Sequence, residues 1–458
     1  MTPPQSGSTP VPSGPTGTSL PPATDRMLVR FCLYGFLKNQ RYFEPFFMLA
    51  LLSHGLSFFQ IGLLYACRSL TLNLLEVPSG VIADQWGRRG SMICSFVAYI
   101  VSFLMFAFVS QVALLAVAMV LYGVGDSFRT GTHKAMIFQW LKNAGREQER
   151  TRVYGVTRGW SQYGSATSAL IAAVCVLSTG DYRAVFLLST FPYLLNIINF
   201  LGYPAAVDRP ATSRGIAATA DTTANSPWRR LVLATAGVGQ ALQQRSLRGL
   251  MLESMAWEGV FGAIKDYLQP ALLAWVLVSG LQNEPSATES LSTDATQHAP
   301  PSVVIAITLT YTALFLLSGW ASRSAHRVVT RAGGHQAATR ALWWVSLALY
   351  GWLGTSDLLG WSANVVLAFA AINILQNVWR PILISRFDDH STAEVGATIL
   401  SLESQSQRIA TLVLAPLVGI AIDAVSLNQG PGHFWPIALV GVLAGTIMLL
   451  RLAPRPHP

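Results

Sequence analysis

The feature that most constrains this chain is a twelvefold recurrence of apolar runs, each followed by a short polar break. The runs cover 28–52, 58–84, 90–109, 112–139, 152–178, 183–203, 248–280, 302–322, 337–356, 361–386, 395–426 and 434–452. A helix rises about 1.5 Å per residue, so roughly 20 residues cross a hydrocarbon core of about 30 Å. An isolated span in lipid must satisfy its backbone polar groups internally, so each run reads as a helix. Composition agrees. Hydrophobic residues make up 52% of the chain and charged residues 12%, about half the charged share of an ordinary soluble domain. The expected fold is an all-α integral membrane protein of twelve transmembrane helices.

The breaks divide the chain. Residues 1–26, rich in Pro, Ser, Gly and Thr, read as a disordered tail and carry no secretory signal pattern. Residues 27–203 form a first set of six spans, and residues 204–247 a long central loop. Residues 248–452 form a second set of six, and 453–458 a short tail. Within the central loop, Trp228–Gln244 has helical spacing suited to the membrane surface. The 31 Lys and Arg against 22 Asp and Glu give a formal charge of +9. That excess lies in alternate breaks, which argues for topology and against nucleic-acid binding. Arg88 and Arg89, then Lys142, Arg146, Arg150 and Arg152, then the central loop, then Arg323, Arg327 and Arg331 fall after even-numbered spans. Breaks after odd-numbered spans, including the acidic 281–301, are nearly free of Lys and Arg, Arg183 being the exception. Basic loops stay in the cytoplasm, so both termini are expected there, in a multi-pass plasma-membrane protein.

The break after the second span reads Gly80-Val-Ile-Ala-Asp84-Gln-Trp-Gly87-Arg88-Arg89. It resembles the G-x-x-x-D-x-x-G-R-[RK] signature between helices 2 and 3 of major facilitator superfamily transporters. The resemblance spans nearly all of the chain after the tail. It implies two six-helix halves built from inverted repeats, with the substrate near the bilayer midplane. Three further stretches, Gly35–Pro45, Lys265–Pro270 and Ala397–Gln405, resemble one bacterial subfamily of these permeases, a likeness that assigns no substrate.

The residues of the signature have their own physical reading. Gly80 lets a neighbouring helix approach. Asp84, one turn on, is placed to cap a helix N-terminus in the other half, where the dipole attracts a carboxylate. The helix starting near Ser391-Thr392-Ala393-Glu394, with capping-box spacing, is the expected partner. Arg88 and Arg89 would hold the loop and meet lipid phosphates. The corresponding loop of the second half keeps Gly319 but has Arg323 where the acid would stand, so a symmetric pair of such loops is not expected.

Chemistry is sought in ionisable residues at membrane depth, each costing roughly 2.5–3.5 kcal/mol when central. On the first span, Lys38, Arg41 and Glu44 cover an arc of about 120° at roughly 100° per residue. The second span carries Arg68 and Glu76, and the fourth Asp126 and Arg129, three apart on one face. Arg158 lies on a polar stripe of the fifth. Glu258, Lys265, Asp266 and Gln269 share about a quarter of the seventh on ideal spacing. The tenth brings Asn377 and Arg380, and the eleventh Glu403. On that spacing Lys265 and Asp266 diverge, so Lys265 is expected to meet Glu44, and Asp266 to meet Arg380 or Arg41. Any single pair can equally serve only to hold helices in register. A carboxylate among them that takes and releases a proton would couple the site to a proton gradient, and the basic residues would bind an anion or neutralise the acids.

Competing classes fare worse. The eight histidines are scattered without metal spacing, and no phosphate-binding glycine loop is present. The four cysteines lie inside apolar runs and read as packing residues. The expectation is therefore a monomeric, non-enzymatic secondary transporter of a small solute, working by alternating access and coupled to protons. Lipid, solute and protons are its partners, and no cofactor or metal is expected. A transporter-like receptor that binds without net flux is the alternative.

Overall fold

The computed structural model describes residues 26–208, 245–281, 300–389 and 396–452. The tails, most of the central loop with Trp228–Gln244, most of the 281–301 break and the Ser391–Glu394 segment lie outside the described residues. Among the described residues every regular element is helical. The spans are numbered 1 to 12 in chain order. Span 2 is Phe58–Trp86, span 3 Arg88–Phe108, span 5 Arg150–Thr179 and span 6 Arg183–Leu201. Span 4 is Val112–Arg129 continued by Thr132–Asn143. Span 8 is Pro301–Ala332, span 9 His335–Leu358, span 10 Ser362–Asp388, span 11 Gly396–Gln429 and span 12 Trp435–Leu452. Spans 2, 3, 4, 6, 8, 10, 11 and 12 are each long and apolar enough to cross a bilayer.

Spans 1 and 7 depart from the sequence expectation, because both are broken. Span 1 runs Arg26–Leu37, leaves the helix, and resumes through a 3-10 turn at Glu44–Phe46 into Phe47–Ser53. Span 7 passes from Arg245–Ser254 through a π turn at Met255–Gly259, a helix at Val260–Ile264 and a 3-10 turn at Lys265–Tyr267 into Leu268–Leu281. A proline follows each break within one or two turns, although Pro78, Pro192, Pro381 and Pro416 lie inside continuous helices, so proline contributes to these breaks without alone fixing them. Pro45 and Pro270 have no N–H to give and clash with a continuing helix one turn back. Lys38, Arg41 and Glu44 therefore do not share a helical arc, and Glu258, Lys265, Asp266 and Gln269 do not share a regular stripe. Non-helical backbone at this depth needs polar partners from the protein. Asn39 Nδ2 donates to Ser161 O (2.5 Å), Gln40 Nε2 to Gly164 O (3.1 Å), and Tyr193 OH to the Lys38 carbonyl (3.0 Å).

The two halves pack alike. Span 1 lies on 5 as 7 lies on 11, 2 on 4 as 8 on 10, and 3 on 6 as 9 on 12. Between the halves, span 2 packs on 11 and span 5 on 8. The first half has an aromatic core of Phe43, Phe47, Phe96, Tyr99, Phe103, Phe106 and Tyr193, and the second a stack of Trp257 on Trp379 at 4.0 Å with Trp343 edge-on. The outer faces carry exposed Leu and Val, among them Val174, Leu309, Leu316 and Leu443. A belt of this kind fits the hydrocarbon core of a bilayer. Helix ends are set locally. Ser57 and Gln60 form a reciprocal capping box at the start of span 2, and Gly87, at φ 110°, makes the sharp turn from span 2 to span 3.

Candidate functional site

Spans 1, 4, 5, 7, 8 and 10 enclose a cavity of about 1120 Å³ between the halves. Its lining includes Gly155, Arg323 and Ile384, close to the ends of spans 5, 8 and 10 that carry the basic loops. The cavity thus reaches toward the basic end of the bundle. At the opposite end the halves are bonded together. Asp423 of span 11 accepts from Phe58 N (3.0 Å) and Phe59 N (2.8 Å), the first N–H groups of span 2. Gln269 accepts from Met48 N (2.8 Å) and donates to the Glu44 carbonyl (3.1 Å). Tyr65 OH donates to Asp266 Oδ2 (2.8 Å), and Phe58 stacks on Tyr267 at 5.4 Å.

In the first half, three guanidinium groups converge on one buried carboxylate. Asp126 receives Arg68 Nη2 at 2.5 Å and Arg129 Nη2 at 3.1 Å, with Arg41 Nη2 at 3.7 Å. Tyr99 OH also donates to Asp126 and accepts from Arg129 Nε (3.0 Å), while Arg41 Nε donates to Tyr193 OH (3.1 Å). The rings of Tyr99 and Tyr122 face Arg41, and Tyr122 also faces Arg68. A buried charge is tolerable only when compensated, and here cations outnumber the acid. In the second half the ratio reverses. Arg380 gives both terminal nitrogens to Glu403 (2.6 and 3.1 Å), and one of them lies 3.5 Å from Glu258. Glu403 also accepts from Ser254 Oγ (2.6 Å), and Glu258 Oε2 accepts from Gln376, which in turn accepts from Trp257 Nε1. Glu258 Oε1 is buried without a hydrogen bond among the described residues.

Several expected partnerships are corrected. Lys265 does not meet Glu44; it stands 3.9 Å from Asp266, the neighbour it was expected to diverge from. Asp266 meets neither Arg380 nor Arg41, which are held by Glu403 and by Asp126. The 3-10 turn at Lys265–Tyr267 sets successive side chains about 120° apart, so the contact is made by the long, flexible Lys265 stem reaching round to its neighbour. Gln269 is turned from the cavity stripe to the backbone of span 1 in the other half. Glu44 lines the cavity, as do Arg158 and Asn377, the latter donating to Ser318 Oγ (2.9 Å). Glu76 joins the halves, accepting from Arg408 Nη2 of span 11 (2.7 Å).

The signature loop is held within its own half. Arg88 bonds Asp84 (3.1 Å) and the Ala135 carbonyl (3.2 Å), and its side chain is largely covered, so it serves the loop and not lipid. Arg89 takes Asp208 Oδ1 at its backbone N (2.7 Å) and the Tyr203 carbonyl at its side chain (3.3 Å). A Cβ on Gly80 would meet nothing within 4 Å among the described residues, so none of the described helices approaches it in this conformation. The segment expected to receive Asp84 lies outside the described residues. Sequence reasoning missed Asp423, Tyr65, Tyr99 and Tyr193, whose partners are set only by tertiary packing. It also missed a usable signal for the two breaks. Gly35-Phe-Leu-Lys38 recurs as Gly262-Ala-Ile-Lys265, each ahead of its proline.

A twelve-helix bundle in two like halves, with a polar cavity between them sealed at one end, defines a membrane transporter. The family model described as Major Facilitator Superfamily matches residues 27–453, and the chain belongs to that family. An uncharacterised MFS-type transporter of Bacillus subtilis (strain 168), YxaM, is 30% identical over 159 residues. That stretch is 35% of this chain and 37% of the relative's length. Among solved structures, a mutant of the nucleoside transporter NupG superposes with a TM-score of 0.68 at 12% identity, covering 93% of this chain and 98% of that one. A D-xylose-proton symporter gives 0.62 at 14% identity, covering 92% and 96%. At such identities these likenesses speak for the fold alone.

Proposed function

We propose that this chain is a secondary active transporter that moves a small solute by alternating access and couples that movement to protons. The observation that carries the reading is the central polar cavity, bonded shut between the halves at one end and extending toward the basic end at the other. Loop charge puts the basic end and both termini in the cytoplasm, so this conformation faces inward from the plasma membrane. The halves, 27–203 and 248–452, would rock about the solute, with 204–247 linking them. One chain encloses the whole cavity, so a monomer suffices.

Antiparallel spans 2 and 11 supply the two latches. Each carries an acid toward its C-terminal end, Asp84 on span 2 and Asp423 on span 11; Asp423 addresses the N-terminal dipole of span 2, and Asp84 is placed to address that of span 11 once freed from Arg88. Asp423 makes its contact in the inward-facing state; Asp84 would make the reciprocal contact when the basic end closes. Glu258 is the proposed proton carrier. It shares Arg380 with Glu403, which holds the stronger contacts, and one of its oxygens is left without a donor. That oxygen, Oε1, lies 3.5 Å from Arg380 Nη1, too far for a hydrogen bond, so a proton on Glu258 would remove a weakly compensated charge, and its release would depend on how closely Arg380 is engaged.

The test uses proteoliposomes with a trapped pH dye and a panel of nucleosides, pentoses and organic acids. At least one solute class should carry protons inward with the wild-type protein. Glu258→Gln should keep solute counterflow and lose proton movement. Accumulation of a solute with no proton movement would refute the coupling, and a solute that binds but never exchanges would refute transport.

A further inference from the structure

Lys38 and Arg158 stand outside the pairing scheme of the first half. Arg41, Arg68 and Arg129 converge on Asp126, whereas neither Lys38 nor Arg158 has a carboxylate partner among the described residues. Both line a recess of about 230 Å³ with Tyr34, Asn39, His133 and Gln162. Asn39, Arg158 and Gln162 also line the central cavity, so the recess is a side chamber of it. No lining residue is acidic. The Lys38 ammonium lies 5.5 Å from the Tyr34 ring centre, and the charges that act on it, Arg41, Arg129 and Arg158, are all positive. His133 Nε2 is buried there without a hydrogen-bond partner among the described residues.

The second half shows what is missing. Lys265 occupies the position matching Lys38 in the repeated Gly-x-x-Lys and is followed by Asp266, 3.9 Å away. Lys38 is followed by Asn39, whose amide donates to Ser161 O. One half keeps a counterion beside its lysine and the other does not. Lys38 is half-buried and Arg158 exposed within one recess that holds no acid among the described residues, so two like charges stand together without compensation and the arrangement is suited to an anion that arrives from the cavity.

We propose that this recess binds the oxyanion group, carboxylate or phosphate, of the transported solute, so that the substrate is a small organic anion. Lys38 supplies a compact charge and Arg158 a planar fork of donors. The inference rests on the transporter reading and names its substrate class. A neutral solute would leave both cations unpaired.

The test is thermal unfolding of the purified full chain, titrated with inorganic phosphate and with acetate against sodium chloride at equal ionic strength. At least one oxyanion should raise the midpoint saturably above the chloride control. Its apparent Kd should weaken at least tenfold in Lys38→Gln and in Arg158→Gln, and stay unchanged in Arg327→Gln, an exposed cation beyond the recess. A response equal to chloride, or undiminished in both recess variants, would overturn the proposal. Should those variants not fold, Gln162→Cys in the otherwise intact recess should react about tenfold faster with an anionic than with a cationic methanethiosulfonate; equal rates would overturn it as well. Anion binding without proton-linked flux would leave this inference standing and remove the coupling. Proton-linked uptake of an uncharged solute would do the reverse.

Discussion

Asp423 offers the sharpest perturbation of the mechanism. Its two oxygens accept from Phe58 N and Phe59 N at 3.0 and 2.8 Å, tying span 11 to the start of span 2 in the other half. Hydrogen bonds to a charged group contribute roughly 1.5–3 kcal/mol each, and a carboxylate at a helix N-terminus adds about 0.3–1 kcal/mol. The gross loss in Asp423→Ala would thus be about 3–7 kcal/mol. Most of it is recovered, because the freed N–H groups meet water when the end opens and the Ser57–Gln60 capping box survives. A net bias of about 2 kcal/mol remains, which is roughly a thirtyfold rise in the outward-open population. The assay places Ser322→Cys in the cavity, in a background lacking the four native cysteines. An impermeant maleimide applied from the end opposite the basic loops should label it at least tenfold faster in Asp423→Ala. Labelling from that side unchanged by the substitution would refute the argument that this carboxylate holds the end shut.

Further outcomes follow from the same geometry. Asp84→Asn should slow transport without preventing folding, the lost dipole contact being about 0.3–2 kcal/mol; unchanged flux and unchanged cavity labelling would reduce Asp84 to a partner of Arg88. Asp126→Asn should lower the thermal midpoint sharply, because three guanidinium groups lose the one acid they share among the described residues, a cost on the order of 3–5 kcal/mol; Arg68→Gln in the same chain should recover part of it, and a midpoint equal to wild type would contradict the cluster's role. Arg408→Gln should destabilise more than the double variant with Glu76→Gln, as read by thermal unfolding, since the single change strands Glu76 between spans 2 and 11. For topology, Ser110→Cys should react with an impermeant thiol reagent from outside, and a cysteine beside Arg146 should not; the inverse pattern would overturn the orientation.

How much of this was legible in the chain depends on the kind of physics involved. The twelve spans were readable because the cost of exposed backbone in lipid leaves helices as the only solution for each apolar run. The signature loop was readable because Gly87 and Arg88 act through local geometry. The breaks in spans 1 and 7 were not, since hydropathy runs on through Lys38–Glu44 and Lys265–Asp266 while the helix breaks ahead of a proline. Partner choices resting on helical angles alone failed there because they left out the reach of the Lys265 side chain. Asp423 was overlooked because, in sequence, it is a lone acid near the end of an apolar run. Its meaning comes from span 2, more than three hundred and sixty residues away. A carboxylate on the other half's helix dipole is present at Asp423, while the partner expected for Asp84 lies outside the described residues.

The central claim is that the two ends of one cavity open in alternation. Pulsed spin-label distances test it most directly, with one pair at the basic end, Lys142→Cys and Arg331→Cys, and one at the opposite end, Ser110→Cys and Leu427→Cys. With a transported solute and an imposed proton gradient, the basic-end distance should shorten as the opposite-end distance lengthens. Solute accumulation with neither distance changing, or with both changing in the same direction, would contradict the account.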